Sequence, residues 1–103
     1  MTIQGRIQKH LKNIQKLFKN VPENKKNLLN SLMENAAFME VQLEEMQVIL
    51  NNEEITKTER KEVVQQYNSM SKNYLSCMTK LLETLPQEEE TDELKEFLAK
   101  RKN

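Results

Sequence analysis

With one glycine and two prolines in 103 residues, the chain has little material for tight turns. A glycine-rich loop cradling a phosphate is excluded, and strand-and-hairpin architectures, which need turn residues at short intervals, are disfavoured. Tryptophan is absent and aromatic residues make up 5% of the chain, so there is no stacking platform of the kind used by single-strand nucleic-acid binders. The lone cysteine, Cys77, cannot close a disulfide within the chain, which points to a reducing, intracellular setting. No stretch of ~18 apolar residues exists to span a bilayer, and the N-terminus lacks the apolar core of a secretory signal. The expected location is therefore the cytoplasm, with no membrane partner. His10 and Cys77 each stand alone, so there is no Cys/His cluster with metal spacing, and a nucleophilic Cys77 would have only His10 to serve as its base. Glu44-Glu45 and Glu53-Glu54 lack the Asp-rich loop and glycine turn of a calcium site. No cofactor, no metal and no catalytic residue is expected, and His10 is expected to be solvated or to face a partner.

What the chain does have is periodicity. Leu29, Leu32, Ala36, Met39, Leu43, Met46 and Leu50 follow one another at alternating steps of three and four, a stripe along one side of a helix. After a short polar break, Val64, Tyr67, Ser71, Tyr74, Met78, Leu81 and Leu85 repeat the pattern. The spacing predicts an all-α fold built on a long antiparallel helical hairpin, coiled-coil-like in character. Hydrophobic residues are 37% of the chain and charged residues 31%, a composition too polar for a large private core. The stripes are therefore expected to form an oligomer interface between copies, through Leu29, Leu32, Ala36, Met39, Leu43, Met46, Leu50, Val64, Tyr67, Tyr74, Met78 and Leu81.

The first helix is expected from about Thr2 to Asn20, with Ile3, Ile7, Leu11, Ile14 and Phe18 on one face and Leu17 beside them. Val21-Pro22 ends it, because proline disfavours helical geometry in the residue before it. The second helix should run from about Pro22 to Asn51. Thr56-Lys57-Thr58-Glu59 reads as a capping box opening a third helix that ends near Leu85-Pro86. Beyond it, Gln87 to Thr91 is an acidic linker, and Leu94, Phe97 and Leu98 form the apolar face of a short last helix. Three segments result: a basic amphipathic N-terminal helix (1–21), a hairpin core (22–86) and an acidic linker with a short helix (87–103). The short helix is expected to dock on a partner through Leu94, Phe97 and Leu98, or to fold back onto the hairpin.

Net charge is zero, but the charge is segregated: residues 1–27 carry +6, residues 28–56 carry −6, residues 57–80 carry +3 and residues 81–99 carry −6. Such alternation suits electrostatic register between neighbouring helices. On the first helix Arg6, Lys9, Lys12, Lys16 and Lys19 cluster within a few turns. They are candidates for binding the phosphates of double-stranded DNA; contact with anionic lipid, or pairing with Glu34, Glu40, Glu44 and Glu45, are the other uses of the same pattern.

The stretch from Leu17 through Phe18-Lys19-Asn20-Val21-Pro22-Glu23 to Leu29, with Glu34-Asn35-Ala36-Ala37-Phe38-Met39, resembles short phage terminase small-subunit-like proteins of Gram-positive hosts. So does Tyr67-Asn68-Ser69-Met70-Ser71-Lys72-Asn73-Tyr74 running into Leu81-Leu82-Glu83-Thr84-Leu85-Pro86. The resemblance covers residues 17 to 86 and carries no catalytic signature. It implies a non-enzymatic DNA-packaging component of the host-cell cytoplasm that oligomerises, binds viral DNA and recruits or regulates the large terminase subunit. The chain departs from the family in having Asn51-Asn52-Glu53-Glu54-Ile55 where a glycine-containing turn is common. Its 21 N-terminal residues are also too few for a helix-turn-helix. The alternative from the residues alone is a helical adaptor that binds another protein and never touches nucleic acid.

Overall fold

The computed structural model describes residues 2–18 and 23–84. Among them are three α-helices: α1 (Ile3–Leu17), α2 (Lys26–Leu50) and α3 (Lys57–Glu83), with a single 3₁₀ turn, Glu23–Lys25, leading into α2. There is no strand among the described residues, and the fold is all-α. The last helix expected near Leu94, Phe97 and Leu98, the acidic linker and the Val21-Pro22 break lie outside the described residues.

Local chemistry sets each boundary. The Thr2 hydroxyl accepts the Gly5 amide at 3.0 Å and starts α1. The helix stops three residues earlier than its apolar spacing suggests, at Leu17, where the Phe18 amide turns back to the Gln15 carbonyl at 3.2 Å. The C-terminus of α2 is held by Arg60, which donates to the Leu50 carbonyl at 2.6 Å and the Asn52 carbonyl at 3.2 Å. The capping box forms as expected: the Glu59 amide donates to the Thr56 hydroxyl at 3.1 Å, and the Thr56 amide reaches the Glu59 carboxylate at 3.4 Å.

α2 is the middle element. Both α1 and α3 pack along it, and they do not approach each other at backbone distance among the described residues. Cross-helix bonds fix both directions as antiparallel: Arg6 reaches Glu44 and His10 reaches Glu40, while Tyr67 meets Gln47 and Tyr74 meets Glu40. α2 therefore needs two apolar stripes rather than one. Met33 and Ala37 share the helix face of Glu40 and Glu44, toward α1; Leu29, Leu32, Ala36 and Leu43 lie toward α3. Ala36 and Ala37 are fully buried, and their small size lets the neighbouring helices come close.

One hydrophobic core joins all three helices: Ile14 and Phe18 from α1, Leu29, Met33, Ala36, Ala37 and Leu43 from α2, and Tyr74, Cys77, Met78 and Leu81 from α3. The N-terminal helix shares this core with the hairpin. The expected oligomer stripe is corrected by the same fact. Leu29, Ala36, Leu43, Tyr74, Met78 and Leu81 are buried inside one chain, and Leu32, Met39 and Tyr67 pack against them. Heptad spacing asks for a partner helix, and here α1 and α3 supply it. Met46 and Leu50 are half-buried and Val64 is exposed.

The core predicts a graded response to truncation. Leu81→Ala, at a fully buried site, should cost about 2–5 kcal/mol in urea denaturation. Val48→Ala, at a side chain 67% exposed, should stay within about 0.5 kcal/mol. Equal losses at the two positions would contradict this packing.

Candidate functional site

The polar chemistry of the chain gathers where α1 crosses α2. Glu40 is the one charged residue buried among the described residues, 3% exposed. Its position follows from sequence register: it falls four residues after Ala36 and three after Ala37, within the packed sector of α2. The Tyr74 hydroxyl donates to its Oε2 at 2.5 Å from α3, and His10 Nδ1 lies 2.6 Å from its Oε1 from α1. The other ring nitrogen of His10 is 3.0 Å from Glu44 Oε1. A carboxylate only accepts, so the ring sits where an imidazolium would use both of its N–H groups. Arg6, one turn earlier, donates to Glu44 Oε1 at 2.9 Å and to Glu45. The result is a continuous polar chain from Tyr74 through Glu40, His10 and Glu44 to Arg6 and Glu45.

These contacts divide the expected basic stripe in two. Arg6 is tied to Glu44 and Glu45, which raises its pKa further through those hydrogen bonds. Lys9, Lys12 and Lys16 are exposed on the solvent side of α1, and among the described residues no ion pair holds them. Lys19 lies outside the described residues. Lys9 to Lys16 covers about 10 Å at 1.5 Å per residue, with the three ammonium groups on one side. Pairing with the acidic helix does occur, but it uses Arg6 and His10 and leaves the lysines free.

His10, expected to be solvated or to face a partner, faces another helix of the same chain. Its side chain is 18% exposed and bridges two glutamates. The signal that could have found it is Glu40 itself, a lone carboxylate within an apolar sector, which needs a donor from each helix packed on it. Of the other expected site residues of the hairpin, all but Met46, Leu50 and Val64 belong to the core or pack against it, and Leu94, Phe97 and Leu98 are outside the described residues.

Cys77 is buried and donates its thiol to the Leu32 carbonyl at 3.1 Å. Burial pushes its pKa above the usual 9.0, against a smaller pull from the Lys80 charge. Such a thiol packs as a small apolar group and is a poor nucleophile. Among the described residues no group of three potential metal ligands comes together, and no helix is long and apolar enough to cross a membrane. No protein-family model, curated protein or solved structure matches the chain.

Glu44 gives this network a pH signature. Partial burial, the largest single influence, tends to raise its pKa, but the hydrogen bonds and charges of Arg6 and His10 taken together hold the carboxyl below its usual 4.5. A carboxyl whose pKa is lower folded than unfolded stabilises the fold above the unfolded value. That contribution is lost as pH falls through the lowered folded value. The side chain is 44% exposed, so solvent screening keeps the contribution under about 1 kcal/mol. Glu44→Gln should therefore be slightly less stable than the parent at neutral pH, and the two stabilities should converge on acidification well below 4.5. A difference that stays constant across that range would contradict the network.

Proposed function

We propose that the chain is a non-catalytic helical protein that binds the phosphate backbone of double-stranded DNA through α1, as a small-terminase-like component of phage DNA packaging. The observation that carries the DNA reading is the row Lys9, Lys12 and Lys16. It lies exposed on α1, and among the described residues no ion pair ties it to the glutamates that hold Arg6 and His10. A short row of ammonium groups on a rigid helix matches the backbone of a duplex, whose phosphates are spaced regularly and carry no sequence information. Phosphate contacts carry no base information, so binding through this row is sequence-independent.

The packaging role rests on the resemblance over residues 17 to 86, which also brings a homo-oligomer and the large terminase subunit as partners. Assembly of copies has to use surface that the core leaves open. The exposed apolar side chains Ile3, Val48, Ile49 and Val64 offer it. The rival reading, a protein-binding helical adaptor without nucleic-acid contact, draws on one specific feature, the exposed Phe38 beside the α2–α3 groove.

Fluorescence anisotropy with unrelated duplexes tests the DNA reading. Affinity should fall with salt at a slope of about −3 on a log–log scale, set by roughly three neutralised phosphates. Lys9→Gln, Lys12→Gln and Lys16→Gln together should flatten that slope and weaken binding at least ~10-fold at low salt. Arg6→Gln should leave the slope unchanged. Full affinity in the triple variant would remove α1 as the site, and no binding at any salt would favour the adaptor.

A further inference from the structure

On the side of the α2–α3 pair turned away from α1 lies a groove of about 360 Å³. Leu32, Phe38 and Met39 line it from α2, and Asn73, Cys77 and Lys80 line it from α3. Phe38 is 47% exposed, a large aromatic side chain beside half-buried Leu32 and Met39. The lining includes no carboxylate, and Lys80 is its one charged group. Asn35 and Ser76 complete the lining, and a wall half apolar and half polar, with a flexible methionine in it, is suited to a short amphipathic helix.

We propose that this groove seats the chain's own C-terminal segment, with Leu94, Phe97 and Leu98 packed on Leu32, Phe38 and Met39. The inference is independent of the DNA reading. Residues 85–103 lie outside the described residues, and three observations select them as the occupant.

The first is reach. The nine residues 85–93 can span up to ~30 Å, while Lys80 to Asn73 covers about 10 Å of α3. Leu94, seventeen positions after Cys77, therefore reaches any point along the groove. The second is composition. Between residues 87 and 103 the only large apolar side chains are Leu94, Phe97 and Leu98. Their spacing places them on one side of a single helical turn, about 6 Å long, against a Leu32–Met39 wall of about 10 Å.

The third is charge. Because α2 and α3 are antiparallel, the end of α3 lies beside the start of α2. Exposed Lys25 and Lys26 and the positive end of the α2 backbone dipole are found there. Glu88, Glu89 and Glu90 begin four positions after Thr84, and Asp92 and Glu93 follow. The acidic residues of this segment thus complement Lys25, Lys80 and the helix end, while Glu23, 4.0 Å from Lys26, offsets part of that positive charge. Tethering favours this occupant over a second copy of the chain. A short flexible connection gives an effective concentration of roughly millimolar, above working concentrations of free protein.

The proposal gives Cys77 a use as a reporter, because the chain's only cysteine lines the groove. In the full chain at fixed pH, Phe97→Asp with Leu98→Asp should speed modification of the Cys77 thiol by an aromatic disulfide reagent at least ~10-fold, as expected for losing a tethered cover. In the parent protein the rate should not depend on protein concentration. Nitrogen-15 spectra supply a second reading. Phe97→Asp should move the amide signals of Asn35, Asn73, Ser76 and Lys80, and Phe38→Asp should move those of residues 94–98. Unchanged groove amides with an unchanged thiol rate would overturn the proposal. Protection that grows with protein concentration would also overturn it, by giving the groove to a second copy.

Discussion

The arrangement of the three helices depends on one buried carboxylate. Glu40 sits in the packed sector of α2, where an ionisable group is tolerated only if its oxygens are hydrogen-bonded. Tyr74 from α3 and His10 from α1 both reach it, at 2.5 and 2.6 Å. Apolar stripes alone would let either helix slip by a turn along α2, because leucine, methionine and isoleucine exchange contacts at modest cost. A shift of either helix by one turn would take its donor several ångströms from Glu40. In this chain the polar contact sets register, and the apolar contacts supply most of the cohesion.

That register decides what faces outward. With His10 and Arg6 turned toward Glu40, Glu44 and Glu45, the helical repeat sets Lys9, Lys12 and Lys16 along the flank of α1 next to Arg6, where Lys9 lines a pocket with Arg6, His10, Asn13 and Glu44. The network uses Arg6 and His10 and leaves three lysines for a phosphate backbone. On the far side of α2, with Tyr74 and Cys77 directed inward, Phe38 and Met39 are left along the groove beside α3. The two surfaces are nearly opposite each other across α2. A DNA duplex lying along α1 and a segment lying between α2 and α3 would not compete for space.

Much of this was legible in the sequence. The capping box at Thr56, the stop at Asn51-Asn52 and the apolar faces of all three helices follow from spacing and end chemistry that operate locally. The destination of the heptad stripes was not legible. A three-and-four repeat specifies that a helix needs a neighbour and is silent on whether that neighbour belongs to the same chain. Met33, Ala37 and Glu40 form a second packed sector on α2 and signal two neighbours. The regular Leu29–Leu50 stripe hides them, because it satisfies the eye with one. The role of His10 was hidden for a related reason: its partners stand 30 and 34 positions away, and no local rule joins them.

The central claim is that α1 and α3 are coupled through Glu40, although they do not touch at backbone distance. A double-mutant cycle of His10→Ala and Tyr74→Phe, measured by urea denaturation at neutral pH, tests it most directly. Side chains sharing one hydrogen-bond network should show an interaction free energy of at least about 0.5 kcal/mol, because each loss changes how the other holds Glu40. Strict additivity, within about 0.3 kcal/mol, would mean that the two helices dock on α2 independently, and would contradict the account.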